Sequence, residues 1–166
     1  MSGDPRTLLA RPDLADERLE GLVRAARFAA TRPMRCATPS AGILGAPESG
    51  TVRQDELLFG EIFDVLEIKA GWAWGQAARD GYVGFVLLDH LESAPEAPTH
   101  RIRALRTAGF RRPDLKSEVM TILSMNSLVR TGEAQGGYVD AGDAGWIFAD
   151  HLAPIGEFES DYVAVA

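Results

Sequence analysis

One cysteine and three histidines in 166 residues leave little room for several common chemistries. Cys36 alone cannot close an intrachain disulfide or build a thiolate zinc cluster. His90, His100 and His151 are scattered, without the i, i+4 spacing that seats a metal on one helix face, so no metal site and no cofactor are expected. No apolar run approaches the ~20 residues that a membrane span needs. The opening Met-Ser-Gly-Asp-Pro-Arg has no basic-then-apolar leader pattern, which makes a cytoplasmic location the expectation and a periplasmic or wall-associated one the alternative. The stretch from Gly132 to Gly137 lacks the lysine and the following helix of a phosphate loop. Lysine occurs only as Lys69 and Lys116, so arginine carries almost all the positive charge, a pattern that fits genomic codon bias before function. The net charge of −7 argues against nucleic acid or an anionic membrane surface as partner.

What is present is ordinary for a soluble globular protein, with 46% hydrophobic and 25% charged residues. The most informative feature is a repeat. Gly84-Phe85-Val86-Leu87-Leu88-Asp89-His90-Leu91 returns as Gly145-Trp146-Ile147-Phe148-Ala149-Asp150-His151-Leu152, 61 positions later. That offset is the size of a small β module able to fold alone. Two copies of a structural unit argue for a chain that binds rather than transforms.

The periodicity divides the chain. Residues 1–32 form an extension and a helix: Leu19, Leu22, Val23, Ala26 and Ala30 follow one helical stripe over residues 13–31, with acids in the first turn and Pro33 as the stop. The helix reads as a packing brace in preference to a partner-docking element. From Pro33 onward short β-rich runs alternate with Gly, Pro, Asp and Ser. Residues 33–94 make a first β unit with strands at 34–38, 54–57, 62–69, 73–78 and 82–86, and Asp80-Gly81 marks a hairpin turn. Residues 95–98 are a linker. Residues 99–156 make a second unit with strands at 101–106, 118–122, 128–132, 138–140 and 145–148, and residues 157–166 begin something further.

Several residues are candidates for function. Cys36 lies in the alternating run 34–38 and reads as a buried structural thiol rather than a nucleophile. His90 and His151 hold equivalent repeat positions and read as barrel-closing residues, with a ligand role as the minority reading. Arg101, Arg103, Arg106, Arg111 and Arg112 form the one basic cluster. A solvated strand face is the preferred reading there, and an anion site the sharper one. Among the aromatics, Phe85 and Trp146 read as core. Trp72 or Trp74, with Tyr82, are the better candidates for an exposed platform, although for any one of them core is the preferred reading, and Tyr138 is the counterpart of Trp72 in the second unit. The hairpin before the repeat is about five residues shorter in the second unit, where Asp140 stands opposite Trp74, so the first unit is the richer candidate for a binding face.

The order of these motifs resembles bacterial SH3-like domains. The first unit offers Ala46-Pro47-Glu48-Ser49, Leu57-Leu58-Phe59-Gly60-Glu61, Gly71-Trp72-Ala73-Trp74 and Gly81-Tyr82-Val83-Gly84-Phe85-Val86; the second offers Pro113-Asp114, Leu123-Ser124-Met125, Gly136-Gly137-Tyr138 and Gly145-Trp146-Ile147-Phe148. With Pro98-Thr99-His100-Arg101 between them, the whole is similar to the tandem N-terminal region of proteobacterial NlpC/P60 cysteine peptidases, which cleave cell-wall stem peptides beside γ-D-glutamyl residues. The resemblance implies a mainly β chain: an N-terminal α-helix followed by two small SH3-like β-barrels. It implies a non-enzymatic targeting or specificity region, with stem peptides or muropeptides and a catalytic domain in cis as partners. The Cys-Ser-Gly helix start and the downstream His of such a catalytic domain have no counterpart in these residues. A stand-alone protein-interaction module is the alternative.

Overall fold

The computed structural model describes residues 6–93 and 96–157. It is mainly β and falls into two compact units, Met1–Leu57 with Glu61–Ala94, and Leu58–Gly60 with Pro95–Ala166. Apart from Glu157, the residues 157–166 expected to begin a further segment lie outside the described residues.

The first unit contains β1 (Ala15–Asp16), β2 (Phe28–Ala29), β3 (Arg32–Cys36), β4 (Ser40–Leu44), β5 (Arg53–Leu58), β6 (Ile62–Lys69), β7 (Trp72–Ala77), β8 (Val83–Leu87) and β9 (Leu91–Ser93). β3 to β9 form one seven-stranded sheet in the order β5-β4-β8-β7-β6-β3-β9. β6 shows why this segment is a strand. Phe63 and Val65 alternate inward and are buried, while Asp64 and Leu66 point the other way. Phe63 packs with Met34, Cys36, Ile43, Leu57 and Val86 in the core. Burying a ring of that size contributes about 1.5–3 kcal/mol.

The expected N-terminal helix is absent. Residues 13–31 instead hold the short parallel pair β1–β2, in which Ala15 faces Phe28 and Asp16 faces Ala29, joined through a single 3-10 turn at Glu17–Leu19. Two local effects defeat the helical stripe. The Asp16 carboxylate accepts hydrogen bonds from the Arg18 backbone N–H and guanidinium, closing a tight turn. Gly21 then adopts φ of +80°, which ends any right-handed run. Leu22, central to the supposed stripe, is 74% exposed. The buried apolar residues of the described stretch up to residue 31 are Leu9, Leu14 and Ala15, and Leu9 and Leu14 cover Trp74.

Two further expectations shift. β4 carries no strong strand signal, yet it buries Ala41 and Ile43 and pairs with β8 through Leu44 and Phe85. The expected strand at 101–106 is split, because residues 103–105 turn between two strands. The second unit contains β10 (His100–Ile102), β11 (Arg106–Phe110), β12 (Val119–Ser124), β13 (Leu128–Val129), β14 (Ala134–Gln135), β15 (Tyr138–Asp140), β16 (Trp146–Phe148) and β17 (Leu152–Pro154). They form a five-stranded sheet, β12-β11-β16-β15-β14, and a three-stranded one, β13-β10-β17. Phe59, Ile102, Leu123, Val129 and Ile147 make this unit's core. Among the described residues no helix is long and apolar enough to cross a membrane.

The two copies of the repeated run adopt one geometry. Each is a strand, then a 3-10 turn ending in histidine, then a short strand: β8, Leu88–His90 and β9 in one unit, β16, Ala149–His151 and β17 in the other. Leu87 and Phe148 enter these turns with φ, ψ of −58°, 127° and −57°, 130°. The His90 carbonyl accepts from Ala37 N–H and the His151 carbonyl from Arg103 N–H, both at 2.9 Å. The correspondence extends upstream. Cys36 N–H donates to the Glu61 carbonyl, and Ile102 N–H to the Ser127 carbonyl. The residues just before these acceptors, Gly60 and Asn126, are both left-handed, at φ of +78° and +71°.

Candidate functional site

Along β7 the side chains divide between two faces. Ala73 and Ala77 enter the core, whereas Trp72, Trp74 and Gln76 point to the outer face of the sheet. Their cross-strand partners are fixed by register: Lys69 and Leu87 flank Trp72, and Glu67 and Phe85 flank Trp74. The hairpin joining β6 to β7 has only Ala70 and Gly71 at its tip, both with positive φ, at +50° and +80°. This is the twist-matched two-residue turn that pins a register.

The amino-terminal residues cross this outer face as a strap. The Arg6 carbonyl accepts from Val83 N–H at 2.7 Å, and the Thr7 carbonyl accepts from Gln76 Nε2 at 2.9 Å. Leu9 and Leu14 then close over Trp74, leaving it 4% exposed. Arg11 stacks its guanidinium 4.0 Å from the Trp74 ring centre. The same guanidinium donates to Glu67 Oε2 at 2.7 Å and to the Asp13 carboxylate at 3.2 Å.

Beside the strap lies a cavity of about 380 Å³ lined by Arg11, Asp13, Glu67, Lys69, Trp72 and Phe85, with the Trp74 edge, Pro47 and Ala70. Its size is that of a small-ligand pocket. The apolar walls are Trp72 and Phe85. The charges are two carboxylates, both engaged by Arg11, and two cations, of which Lys69 has no ion pair among the described residues.

The four aromatic residues singled out in the sequence therefore have different fates. Trp72 is partly exposed in the cavity wall. Trp74 is buried beneath the strap, so it does not form an exposed platform; the amphipathic N-terminal residues cover it. Tyr82 is half-buried and packs on the core. Tyr138 is 7% exposed, stacked on Phe148 at 4.4 Å and edge-on to Phe110 at 6.0 Å, and is thus part of the second unit's interior. The sheet brings Trp72 and Trp74 together on its outer face and leaves Tyr82 against the core, while Tyr138 belongs to the second unit. Glu67, Lys69 and Phe85 were missed as cavity residues, although alternation along the paired strands places them on the face of Trp72 and Trp74. Arg11 carried no local signal, because a polar, proline-containing terminus gives no periodicity.

Other candidates have structural surroundings. Cys36 is fully buried; burial pushes its thiol up, against the pull of the Thr38 contacts. His151 Nδ1 lies 2.8 Å from Thr107 Oγ1, and its ring meets Phe148 edge-on. Arg101 is nearly buried and donates to the Glu157 carbonyl, while Arg111 pairs with Glu118 at 2.7 Å. Among the described residues no group of three His, Cys, Asp or Glu side chains is placed to hold a metal.

Residues 43–91 match the bacterial dipeptidyl-peptidase Sh3 domain family. The matched stretch spans the cavity's sheet residues and excludes Arg11 and Asp13. Among solved structures, an NlpC/P60 family protein from Bacillus cereus aligns over 73% of this chain and 55% of its own, at a TM-score of 0.58 and 13% identity. This chain thus spans about half the length of that protein, and the likeness is one of fold. NlpC2 and NlpC1 from Trichomonas vaginalis align over 80% and 75% of the chain, and 50% and 46% of their own, with 15% identity each and TM-scores of 0.34 and 0.35. No curated protein matches.

Proposed function

We propose that this chain is a non-catalytic accessory region of an NlpC/P60-type cell-wall peptidase, built from two related SH3-like barrels, and that its first unit binds stem peptides or muropeptides. The observation that carries this reading is the cavity beside Trp72, which combines aromatic walls with charges of both signs, as a short peptide requires. The matched SH3 stretch and the fold likeness support the family side of the reading. The shared geometry of Leu88–His90 and Ala149–His151 supports two copies of one module. By the resemblance, such modules abut a catalytic domain and limit which peptide ends enter it. Catalysis would reside in that domain, since Cys36, the chain's one thiol, is buried and held protonated.

The test is titration of the full chain with soluble muropeptides, followed by the three tryptophan indole signals. Saturable movement of the Trp72 signal is expected. An absence of any binding overturns the proposal. A second reading, a protein-interaction module, is favoured by one observation: edge strand β12 exposes Val119, Met120 and Ile122 to 48%, 45% and 46%.

A further inference from the structure

We infer that the cavity beside Trp72 receives the free carboxylate of a short peptide, held by the Lys69 ammonium and the Trp72 indole N–H. The inference rests on the peptide-binding reading above and specifies which end of the peptide is recognised.

The argument begins with which charges remain available. Asp13 and Glu67 both accept from Arg11, whose cationic face is also covered by Trp74. One face of that guanidinium lies against Trp74 and its Nε and Nη2 are engaged by the two carboxylates, which offset its charge. Lys69 also lines the cavity and makes no ion pair among the described residues, and the Trp72 indole N–H has no acceptor among them. An unpaired ammonium and an unpaired N–H donor beside aromatic surface are complementary to an acceptor-only anion.

Register places the two donors together. Lys69 and Trp72 are directly opposed at the last rung of the β6–β7 hairpin. Directly opposed residues have Cβ atoms about 4.5–5.5 Å apart. The two-residue turn at Ala70 and Gly71 fixes that rung, and Ala70 holds a left-handed φ of +50° that a non-glycine residue adopts at a cost. The donors are therefore presented as a pair and not as two independent surface groups.

The remaining walls select the kind of anion. Asp13 and Glu67 border the same cavity, so a dianion such as a phosphate monoester meets two carboxylates along with one ammonium. A monoanionic carboxylate is matched by Lys69 alone. Trp72, Phe85, Pro47 and Ala70 supply apolar surface for small side chains next to that carboxylate. A C-terminal residue with a small apolar side chain meets both conditions.

The experiment uses three probes on the full chain: N-acetyl-alanyl-alanine as the free acid, the same dipeptide as its C-terminal amide, and alanyl-alanine amide with a free amine. Binding is read from the indole signals of Trp72 and Trp74. The expected result is that the acid moves the Trp72 signal and binds about fivefold or more tightly than its amide, the scale of a partly exposed charge contact. Lys69→Met should abolish that preference and Lys69→Arg should retain it; both replace an exposed side chain. Equal binding of acid and amide overturns the carboxylate assignment and leaves the accessory role standing. Tighter binding of the free-amine probe also overturns it, in favour of an ammonium read by Asp13 and Glu67. If muropeptides bind without moving Trp72, or bind while none of the three probes does, the assignment fails and the accessory role survives. If nothing binds, both fail.

Discussion

The Arg11 guanidinium lies 4.0 Å from the centre of the Trp74 ring and donates to Glu67, the residue opposite Trp74 on β6. One side chain from the N-terminal strap thus satisfies a ring face and a carboxylate belonging to two neighbouring strands. The contact turns Trp74 from a surface residue into a core residue of the first unit and leaves Trp72 as the aromatic wall of the cavity.

Trp72 and Trp74, two residues apart on one strand face, should respond differently to truncation. Trp74→Ala removes a buried ring from between Leu9 and Leu14 and is expected to cost about 3–5 kcal/mol. Trp72→Ala is expected to change stability by about 1 kcal/mol or less and to abolish ligand-induced change at the cavity. Urea unfolding of both variants, with a muropeptide titration of the second, separates the two roles.

Gly60 and Asn126 are both left-handed but differ in the space around them. A Cβ on Gly60 would sit 2.0 Å from the Leu128 carbonyl oxygen, a backbone atom with little freedom to move. Gly60→Ala should therefore cost about 3 kcal/mol, combining overpacking with left-handed strain. Asn126→Ala should cost about 1 kcal/mol, from strain alone, and Asn126→Gly should be close to neutral. Denaturation midpoints of the three variants test the ordering.

Asp55 should make stability fall as pH rises above the ordinary carboxyl value and through its own raised one. Burial pushes its carboxyl above the ordinary value of 3.8, and the neighbouring Asp80 charge adds to this. One of its oxygens, Oδ2, is buried with no hydrogen-bond partner. A folded-state value above the unfolded one means that the native state binds the extra proton. The stabilisation is then full below 3.8 and is lost as pH climbs through the raised value. Asp55→Asn should flatten that fall, as read from urea midpoints across the same pH range.

Cys36 should be inert in the folded protein. Its thiol is fully buried, hydrogen-bonds to the Thr38 carbonyl at 3.3 Å, and is held above its usual range by burial. A thiol-specific reagent at neutral pH should label it only on unfolding, so the labelling rate should follow the population of opened molecules. Rapid labelling under native conditions would contradict this placement.

The sheet was legible where alternation is strict. β6 and β15 fall at the expected residues, because Phe63 and Val65 alternate cleanly and Tyr138 sits between glycines and a turn. The Asp80-Gly81 turn was legible from its dipeptide, and Gly81 N–H does donate back to the Ala77 carbonyl. The N-terminal segment was not. Its helical stripe is real as a pattern, but the Asp16 carboxylate and Gly21 impose local geometry that periodicity ignores. The cavity was half legible. Glu67 and Lys69 follow from strand register once Trp72 and Trp74 are chosen, whereas Arg11 meets Trp74 only through the fold.

The strap also bears on the order in which the chain acquires its structure. Residues 6–16 are the first of the described residues to be synthesised, yet the groups that hold them, Trp74, Gln76 and Val83, lie some seventy positions downstream. Contacts that far apart in sequence close slowly and follow the hairpins on which they depend. Until β7 and β8 have paired, Leu9 and Leu14 have nothing to cover, and the nascent chain carries them as uncommitted apolar residues. The cavity beside Trp72 is thus among the last features of the first unit to take shape.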